Sequence, residues 1–352
     1  MKIVHCFYSM EAGGAQVLAI DLMNQLCAEH QVSLVVVNDI WSNAVLSQLD
    51  KRVRVYFIKR QVGSRNPIPL LKLNLLLLRL RPDVIHCHEY NMGQIIRVGK
   101  GKLLYTIHDV GISVSLYHHY NTLVAISDTV YREVAAIYPH NLKKVYNGIG
   151  THLFKPRQVH VLRQQEPIRL VQVSRLLHEK KGQDILLRAM QLIRDQYGFD
   201  QFTLDFIGSG ASHDYLVQLT RELGLQNQVQ FLGDKNRSWM FAHLCDYHVL
   251  VQPSRYEGFG LTVIEGFAAG LPVLASNIEG PAEIIHNVPG GFLFENGSVE
   301  SCADQVYRII KQYTENKLDG VAGETAHLLK EKYSIEACTR GYLREYAQLA
   351  AS

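Results

Sequence analysis

Apolar positions along the first 150 residues follow two alternating rhythms. Lys2–Phe7, Val32–Val37, Val53–Ile58, Asp83–His86, Leu103–Ile107 and Thr122–Ile126 are short, largely apolar runs rich in β-branched residues, and they read as strands. Between the first two, Gly14 to Ala28 carries Val17, Leu18, Leu22, Met23 and Leu26 on one stripe at helical spacing. Ser127 to Ile137 is a further helix, with the Ser127 hydroxyl placed to cap it. At Asn147-Gly148, a turn signal, the rhythm stops. Residues 151–167 show little periodicity and contain Pro156 and Pro167, which marks a linker. The alternation resumes with strands at Arg169–Val173, Thr203–Ile207, Val229–Leu232, Tyr247–Val251 and Pro272–Ala275. Helices are expected at about 182–197, 212–223, 237–243, 261–270 and 281–287, then at 299–313 and 334–350. Strands that are apolar throughout need cover on both faces, so the pattern predicts an α/β fold with two doubly wound parallel sheets. Residues 1–157 form one domain and 158–334 a second. Two such halves facing each other would place a ligand between the carboxyl ends of their strands.

Composition narrows the class. In 352 residues, 47% are hydrophobic and 20% charged, enough for two ordinary cores. No apolar run reaches the roughly 18–20 residues of a membrane span. Met1 to Val17 carries Glu11 and Gly13-Gly14, and reads as a strand entering a loop and not as a signal peptide. Six cysteines (Cys6, Cys27, Cys87, Cys245, Cys302 and Cys338) include no Cys-x-x-Cys, so a reducing, cytoplasmic setting is expected without a disulfide or zinc framework. The net charge of +3 is uneven. Residues 1–157 hold 18 Lys+Arg against 10 Asp+Glu, a balance of +8, and residues 158–352 hold 18 against 23, a balance of −5. That asymmetry points the first half at an anionic partner, unless it is drift between two domains.

Candidate chemistry concentrates after the linker. Glu265 is the only charged residue between Gly258 and Ile278 up to the end of that apolar stretch, and a buried carboxylate needs a partner. Gly258-Phe259-Gly260 lets backbone approach a ligand closely, and the helix that follows offers free N–H groups and a positive dipole end. In Ser174-Arg-Leu-Leu-His-Glu-Lys-Lys-Gly182, an Arg and a Lys six apart suit a diphosphate: a planar fork and a point charge. Each feature also has a plain structural reading, a carboxylate bonded to backbone and a solvated basic loop.

Taken together, Pro253-Ser-x-Tyr-Glu-Gly-Phe-Gly-Leu-Thr-x-x-Glu-Gly-x-Ala-x-Gly-x-Pro-Val273 resembles the Glu-x7-Glu signature of retaining glycosyltransferases of family 4. The resemblance extends along nearly the whole chain. It implies the GT-B fold, two facing Rossmann-like domains, with the tail from about 335 to 352 returning to the first domain. It implies that Glu257 contacts the donor sugar, that Glu265 binds ribose hydroxyls, and that Phe259 and Gly260 supply backbone donors. Arg175 and Lys181 would hold the diphosphate, with Lys180 as a neighbouring competitor. Gly13 and Gly14, a Gly-Gly pair opening the first helix, would lie against the donor phosphates and the acceptor. His108, in Thr-x-His at a strand end, would lie close to the reacting sugar.

The implied reaction moves a hexose-type sugar from a nucleotide-diphosphate donor to a glycan or lipid-linked acceptor, in surface polysaccharide or lipopolysaccharide synthesis. No Asp-x-Asp is present, and the ligands around His86 and His88 are not spaced for a metal, so neither a catalytic metal nor another cofactor is expected. A nucleotide-sugar epimerase or a dehydrogenase on a similar two-domain scaffold is the alternative enzyme class, and the dehydrogenase would need a glycine fingerprint with an acidic residue about 20 positions on, a pair that neither half supplies convincingly. A silent sugar-nucleotide binder is the remaining alternative, and no nucleic-acid partner is expected. Pro67 to Pro82 brackets eight leucines in the twelve residues Leu70–Arg81. This helix either covers a sheet or lies at an anionic membrane beside Lys51, Arg52, Arg54, Lys59, Arg60 and Arg65. The membrane reading places the protein peripherally at the inner face.

Overall fold

The computed structural model describes residues 1–11, 13–99, 101–157, 166–315, 317–318 and 321–351. Residues 158–165 of the expected linker, with the 157/158 boundary beside them, and Ala12 of the glycine loop lie outside the described residues. The chain divides into two compact units, Met1–Ile149 with Lys332–Ser352, and Gly150–Glu331. Residues 155–157 go with the second unit because their backbone is tied there. The Lys155 N–H donates to the Phe241 carbonyl and the Arg157 N–H to the Ala269 carbonyl, both at 2.8 Å.

The first unit holds seven parallel strands: β1 (Lys2–Phe7), β2 (Gln31–Asn38), β3 (Arg54–Arg60), β4 (Val84–Cys87), β5 (Leu103–Ile107), β6 (Thr122–Ala125) and β7 (Leu142–Lys144). Their order is β3-β2-β1-β4-β5-β6-β7, so the direction of winding reverses between β1 and β4. The helix Gly14–Leu26 buries Leu18, Leu22, Met23 and Leu26 against this sheet. The helix Asp128–Ile137 starts with the Ser127 hydroxyl accepting from the Val130 N–H at 3.1 Å. The last helix, Ile335–Ala351, adds Cys338, Tyr342, Tyr346 and Leu349 to the same core. Each such side chain contributes about 1.5–3 kcal/mol of apolar burial. The two tyrosine hydroxyls find polar partners there: Tyr342 bonds Thr106 at 2.9 Å and Tyr346 bonds His86 Nδ1 at 2.7 Å.

The second unit holds β8 (Ile168–Val173), β9 (Phe202–Ile207), β10 (Val229–Gly233), β11 (Val249–Gln252), β12 (Val273–Ser276) and β13 (Gly291–Phe294). All pair in parallel, in the order β10-β9-β8-β11-β12-β13, with the reversal between β8 and β11. Two strands escape the apolar pattern. β7 is three residues with two exposed lysines, and β13 is an edge strand rich in Gly and Phe.

The leucine-rich helix runs Ile68–Leu80 and buries only Leu73 and Leu77. Ile68, Leu71, Leu75 and Leu78 are 55–60% exposed and form a stripe at i, i+3, i+7 and i+10.

Candidate active site

Because β8 and β11 are neighbours at the reversal of the second sheet, the loops leaving their carboxyl ends are neighbours too. The β8 loop carries Arg175 and ends in the short turn of helix His178–Lys181 followed by Gly182. The β11 loop runs from Pro253 to Gly260. Across them, the Lys181 ammonium pairs with the Glu257 carboxylate, each side chain only about one-fifth exposed at 18% and 20%. The spacing in sequence is 76 residues, and the sheet topology closes it.

Buried amides hold this pair from beneath. Gln172 Nε2 donates to the Lys181 carbonyl at 2.8 Å. Gln183 Nε2 donates to the Arg175 carbonyl and to Ser174 Oγ, both at 3.0 Å. Gln252 Nε2 donates to Ser254 Oγ at 2.9 Å, and Ser254 Oγ reaches Glu257 at 3.5 Å. Arg255 latches one loop to the other. Its guanidinium forks onto Asp184 at 2.9 and 2.8 Å and donates to the His178 carbonyl, while its backbone N–H donates to the Lys180 carbonyl. The carbonyl of Lys180 therefore serves the loop scaffold, while the side chain of Lys181 meets Glu257. Arg175 is exposed on the same loop, its carbonyl fixed by Gln183.

Glu265 lies half-buried in the helix Leu261–Ala268, whose apolar side is Val263, Ile264 and Phe267. Gly260 precedes that helix at φ +100°, in the left-handed region that favours glycine. Phe259 is buried. The next helix supports the loop from outside: a Cβ on Gly280 would stand 2.7–2.8 Å from Phe259 N, the Glu257 carbonyl and Gly258 C.

The remaining candidates belong to the first unit. Gly13 caps the helix that opens at Gly14, with its own carbonyl accepting from Val17. A side chain at 13 would meet only the tip of Gln16, so the fold itself does not demand glycine there. His108 follows β5 directly, and burial lowers its pKa to about 4. His86 and His88 stack with ring centroids 4.1 Å apart, on one side of β4 as the His-x-His spacing implies. A third imidazole, His5 of β1, joins them, and the three rings bring nitrogen atoms within 4.8 Å of one another. His86 already bonds Tyr346 and Thr106 through its two nitrogens, both at 2.7 Å.

The family model described as glycosyl transferases group 1 matches residues 155–326, and that described as glycosyltransferase family 4 matches residues 12–153. The chain is a glycosyltransferase of the group 1 type. The lipopolysaccharide core biosynthesis glycosyltransferase LpsD of Rhizobium meliloti is 23% identical over 350 residues, 97% of either chain. A glycosyltransferase of Methanocaldococcus jannaschii is 27% identical over 296 residues, 70% of this chain and 75% of that one. The structure of Anabaena HepE with UDP and glucose matches at a TM-score of 0.80 and 21% identity, covering 99% of this chain and 100% of the other. WaaG, a glycosyltransferase involved in lipopolysaccharide biosynthesis, matches at a TM-score of 0.75 and 17% identity, again over 99% and 100%. The two parallel sheets are those of the GT-B fold.

In this glycosyltransferase, sequence spacing alone gives no sign of Gln172, Gln183, Gln252 or Arg255, because their work is to hold backbone across non-adjacent loops. Glu89 has a legible signal that is easily passed over, a carboxylate directly after His-x-His at a strand end. Its Oε1 accepts the Tyr8 N–H at 3.1 Å, its Oε2 is buried, and burial pushes its pKa up to about 8. Folded chains thus keep a proton on Glu89 between about pH 4.5 and 8 that unfolded chains have lost, so this group's contribution to stability falls as pH rises through that window. Relative to wild type, Glu89→Gln is expected to flatten the decline in unfolding free energy from pH 5 to 8, which reaches at most about 1.4 kcal/mol per pH unit. Parallel urea-melt curves across that range for the two proteins would refute the neutral carboxyl.

Proposed function

We propose that the chain is a retaining, metal-independent transferase that moves a hexose-type sugar from a nucleoside-diphosphate donor to a glycan or lipid-linked acceptor. The observation that carries this reading is the Lys181–Glu257 pair at the reversal of the second sheet, where doubly wound sheets bind ligands. Arg175 and Lys181 would take the diphosphate, Glu257 the sugar hydroxyls and Glu265 the ribose. Backbone groups at Phe259 and Gly260, and at Gly13 and Gly14, would face the donor. The bond from the sugar's anomeric carbon to the diphosphate breaks, and positive charge develops on the ring. The acceptor oxygen bonds to the same face of that carbon as its proton passes to the departing phosphate oxygen. The negative charge of the leaving group is met by Arg175, Lys181 and helix N–H groups, a preorganised electrostatic role that elsewhere falls to a metal. HepE was solved with UDP and glucose, which supports a uridine-diphosphate sugar as the first donor to test.

The test is release of nucleoside diphosphate from UDP-sugars in the presence of acceptor glycans, with the anomeric configuration of the product read by NMR. Release is expected to persist in excess EDTA and the donor configuration to be retained. Loss in EDTA that Mg²⁺ or Mn²⁺ restores would overturn the metal-free reading, and an inverted product the retaining one.

The acceptor side is read from the first unit. The exposed stripe Ile68, Leu71, Leu75 and Leu78 shares its helix with exposed Lys72 and Arg79. A groove beneath that helix is lined by Lys2, His30, Arg52, Arg54 and Arg79. An apolar stripe flanked by cations fits the surface of an anionic bilayer, where each cation adds about 1 kcal/mol. Not every basic residue near it is equally available. Arg52 forks onto Asp50, and Arg60 donates to the Ser64 carbonyl. Binding to phosphatidylglycerol vesicles is expected at low salt, and weakened about tenfold or more by joint replacement of Lys51, Arg54, Lys72 and Arg79 or by Leu71→Ser with Leu75→Ser. Absence of binding at low salt would remove the membrane and leave a water-soluble acceptor.

A further inference from the structure

Three imidazoles of the first unit are threaded on hydrogen bonds across neighbouring strands. His5 Nδ1 lies 3.1 Å from His88 Nε2, and His88 Nδ1 lies 3.1 Å from His108 Nε2. In both links the ring centroids are 5.4 Å apart and the planes 19° from parallel. The strand order explains the alignment: β1 pairs with β4, with His5 opposite His86 and so one step along the same side from His88, and β4 pairs with β5, whose carboxyl ends His88 and His108 directly follow. Phe7 closes one face of the chain, its ring 4.0 Å from that of His88. Burial keeps all three rings neutral, lowering the pKa of His5 to about 3 and that of His108 to about 4, with His88 also well below the usual value.

Neutral imidazole carries one N–H and one lone pair. Each link therefore needs a donor on one side and an acceptor on the other, and the tautomers of the three rings are locked together. Either all three protons sit on Nδ1 or all three sit on Nε2. The far end of the chain decides. His5 Nε2 is buried and has no hydrogen-bond partner among the described residues. An orphaned N–H in the interior is rarer and costlier than an unused lone pair. The protons belong on Nδ1, with His5 donating to His88 and His88 donating to His108.

We infer that His5 and His88 are positioning residues that fix His108 as the Nδ1–H tautomer, so that His108 meets substrate as a neutral hydrogen-bond donor and not as a base. The role at substrate rests on the transferase reading; the tautomer does not. A metal held by His5, His86 and His88 is the competing use of the cluster. Taking one nitrogen from each ring, it would have to displace one hydrogen bond of His88 and one of the two hydroxyls on His86, because of the six nitrogens only His5 Nε2 is uncommitted among the described residues.

The experiment is long-range ¹H–¹⁵N NMR of the full chain labelled at histidine, at pH 7, with kinetics on three variants at position 88. Wild type is expected to show His108 protonated at Nδ1 with an unprotonated Nε2 accepting a bond. His88→Asn keeps an N–H donor near the position of Nδ1 and is expected to preserve that signature and leave kcat within about threefold. His88→Gln places its amide toward His5, and His88→Phe keeps only the ring. Both are expected to release His108 to a mixture of tautomers and to lower kcat about tenfold, the worth of one misaligned hydrogen bond, with KM for the nucleotide sugar unchanged. An Nε2–H signal on His108 in wild type would overturn the inference, as would equal behaviour of the Asn and Gln variants. Stoichiometric Zn²⁺ uptake that shifts the His5 and His88 nitrogens would replace it with the metal site. If the variants do not fold, the wild-type spectrum alone decides. If no transfer is found with any donor, the spectrum still reads the tautomer, separating this failure from that of the proposed function.

Discussion

Lys181→Ala is expected to lower kcat/KM for the nucleotide sugar about 10- to 100-fold and to weaken nucleoside-diphosphate binding in calorimetry by a similar factor. A buried charge-assisted contact contributes about 1.5–3 kcal/mol, and this lysine would make two, one to the diphosphate and one to Glu257. The substitution also leaves the Glu257 carboxylate unpaired at one-fifth exposure, which costs more than the contact itself. Lys180→Ala is expected to change either quantity by no more than about threefold, since the substitution keeps the Lys180 carbonyl that accepts the Arg255 N–H at 2.8 Å. Lys181→Arg retains the charge, but a planar fork replaces a point donor, so partial activity is expected. A larger loss at Lys180 than at Lys181 would show that the diphosphate takes the neighbouring lysine.

The elements that were legible in the sequence are those whose residues report their own environment. Val32–Val37 and Leu103–Ile107 are apolar on both faces because both faces are covered, and they appear as β2 and β5 with ends shifted by a residue or two at most. β7 has Lys143 and Lys144 exposed at the sheet edge and carries no such report. The site divides the same way. Glycines, paired glutamates and a Lys-Gly step are local patterns. The hydrogen-bonded chain of His5, His88 and His108 depends on the order β1-β4-β5, which no window of sequence contains. The His86-x-His88 spacing correctly places two rings on one side, but finding the third requires the pairing of strands more than 80 residues apart. The leucine-rich helix shows the converse difficulty. Its composition is that of a buried helix, yet the structure leaves four large apolar side chains exposed, a placement set by where the helix rests on β3 and not by its own pattern.

The second large effect is expected from a single methyl group. Gly182 stands at φ +64°, and a Cβ there would come within 1.9 Å of the Pro253 carbonyl oxygen, a backbone atom that cannot swing aside. Gly182→Ala must therefore push the β8 loop away from the β11 loop, and Lys181 and Glu257 sit on those two loops. Gly198 provides the control. It ends the helix Gln183–Tyr197 at φ +65°, the same left-handed conformation, but a Cβ there meets nothing within 4 Å. Gly198→Ala is expected to cost only the strain of a left-handed alanine, about 1–2 kcal/mol, with a lower melting temperature and unchanged kcat/KM. Gly182→Ala carries that strain plus the clash, so it should melt lower still and lose at least about 100-fold in kcat/KM, since a displacement of about 1 Å in a positioned group costs that much. The Arg255–Asp184 fork resists that separation, so its removal lets the clash relax, and combining Gly182→Ala with Arg255→Ala should lower the melting temperature by less than the two single changes added together. Equal activity in the Gly182 and Gly198 variants would show that the close approach of the two loops is not needed for transfer, and would move the donor site away from the Lys181–Glu257 pair.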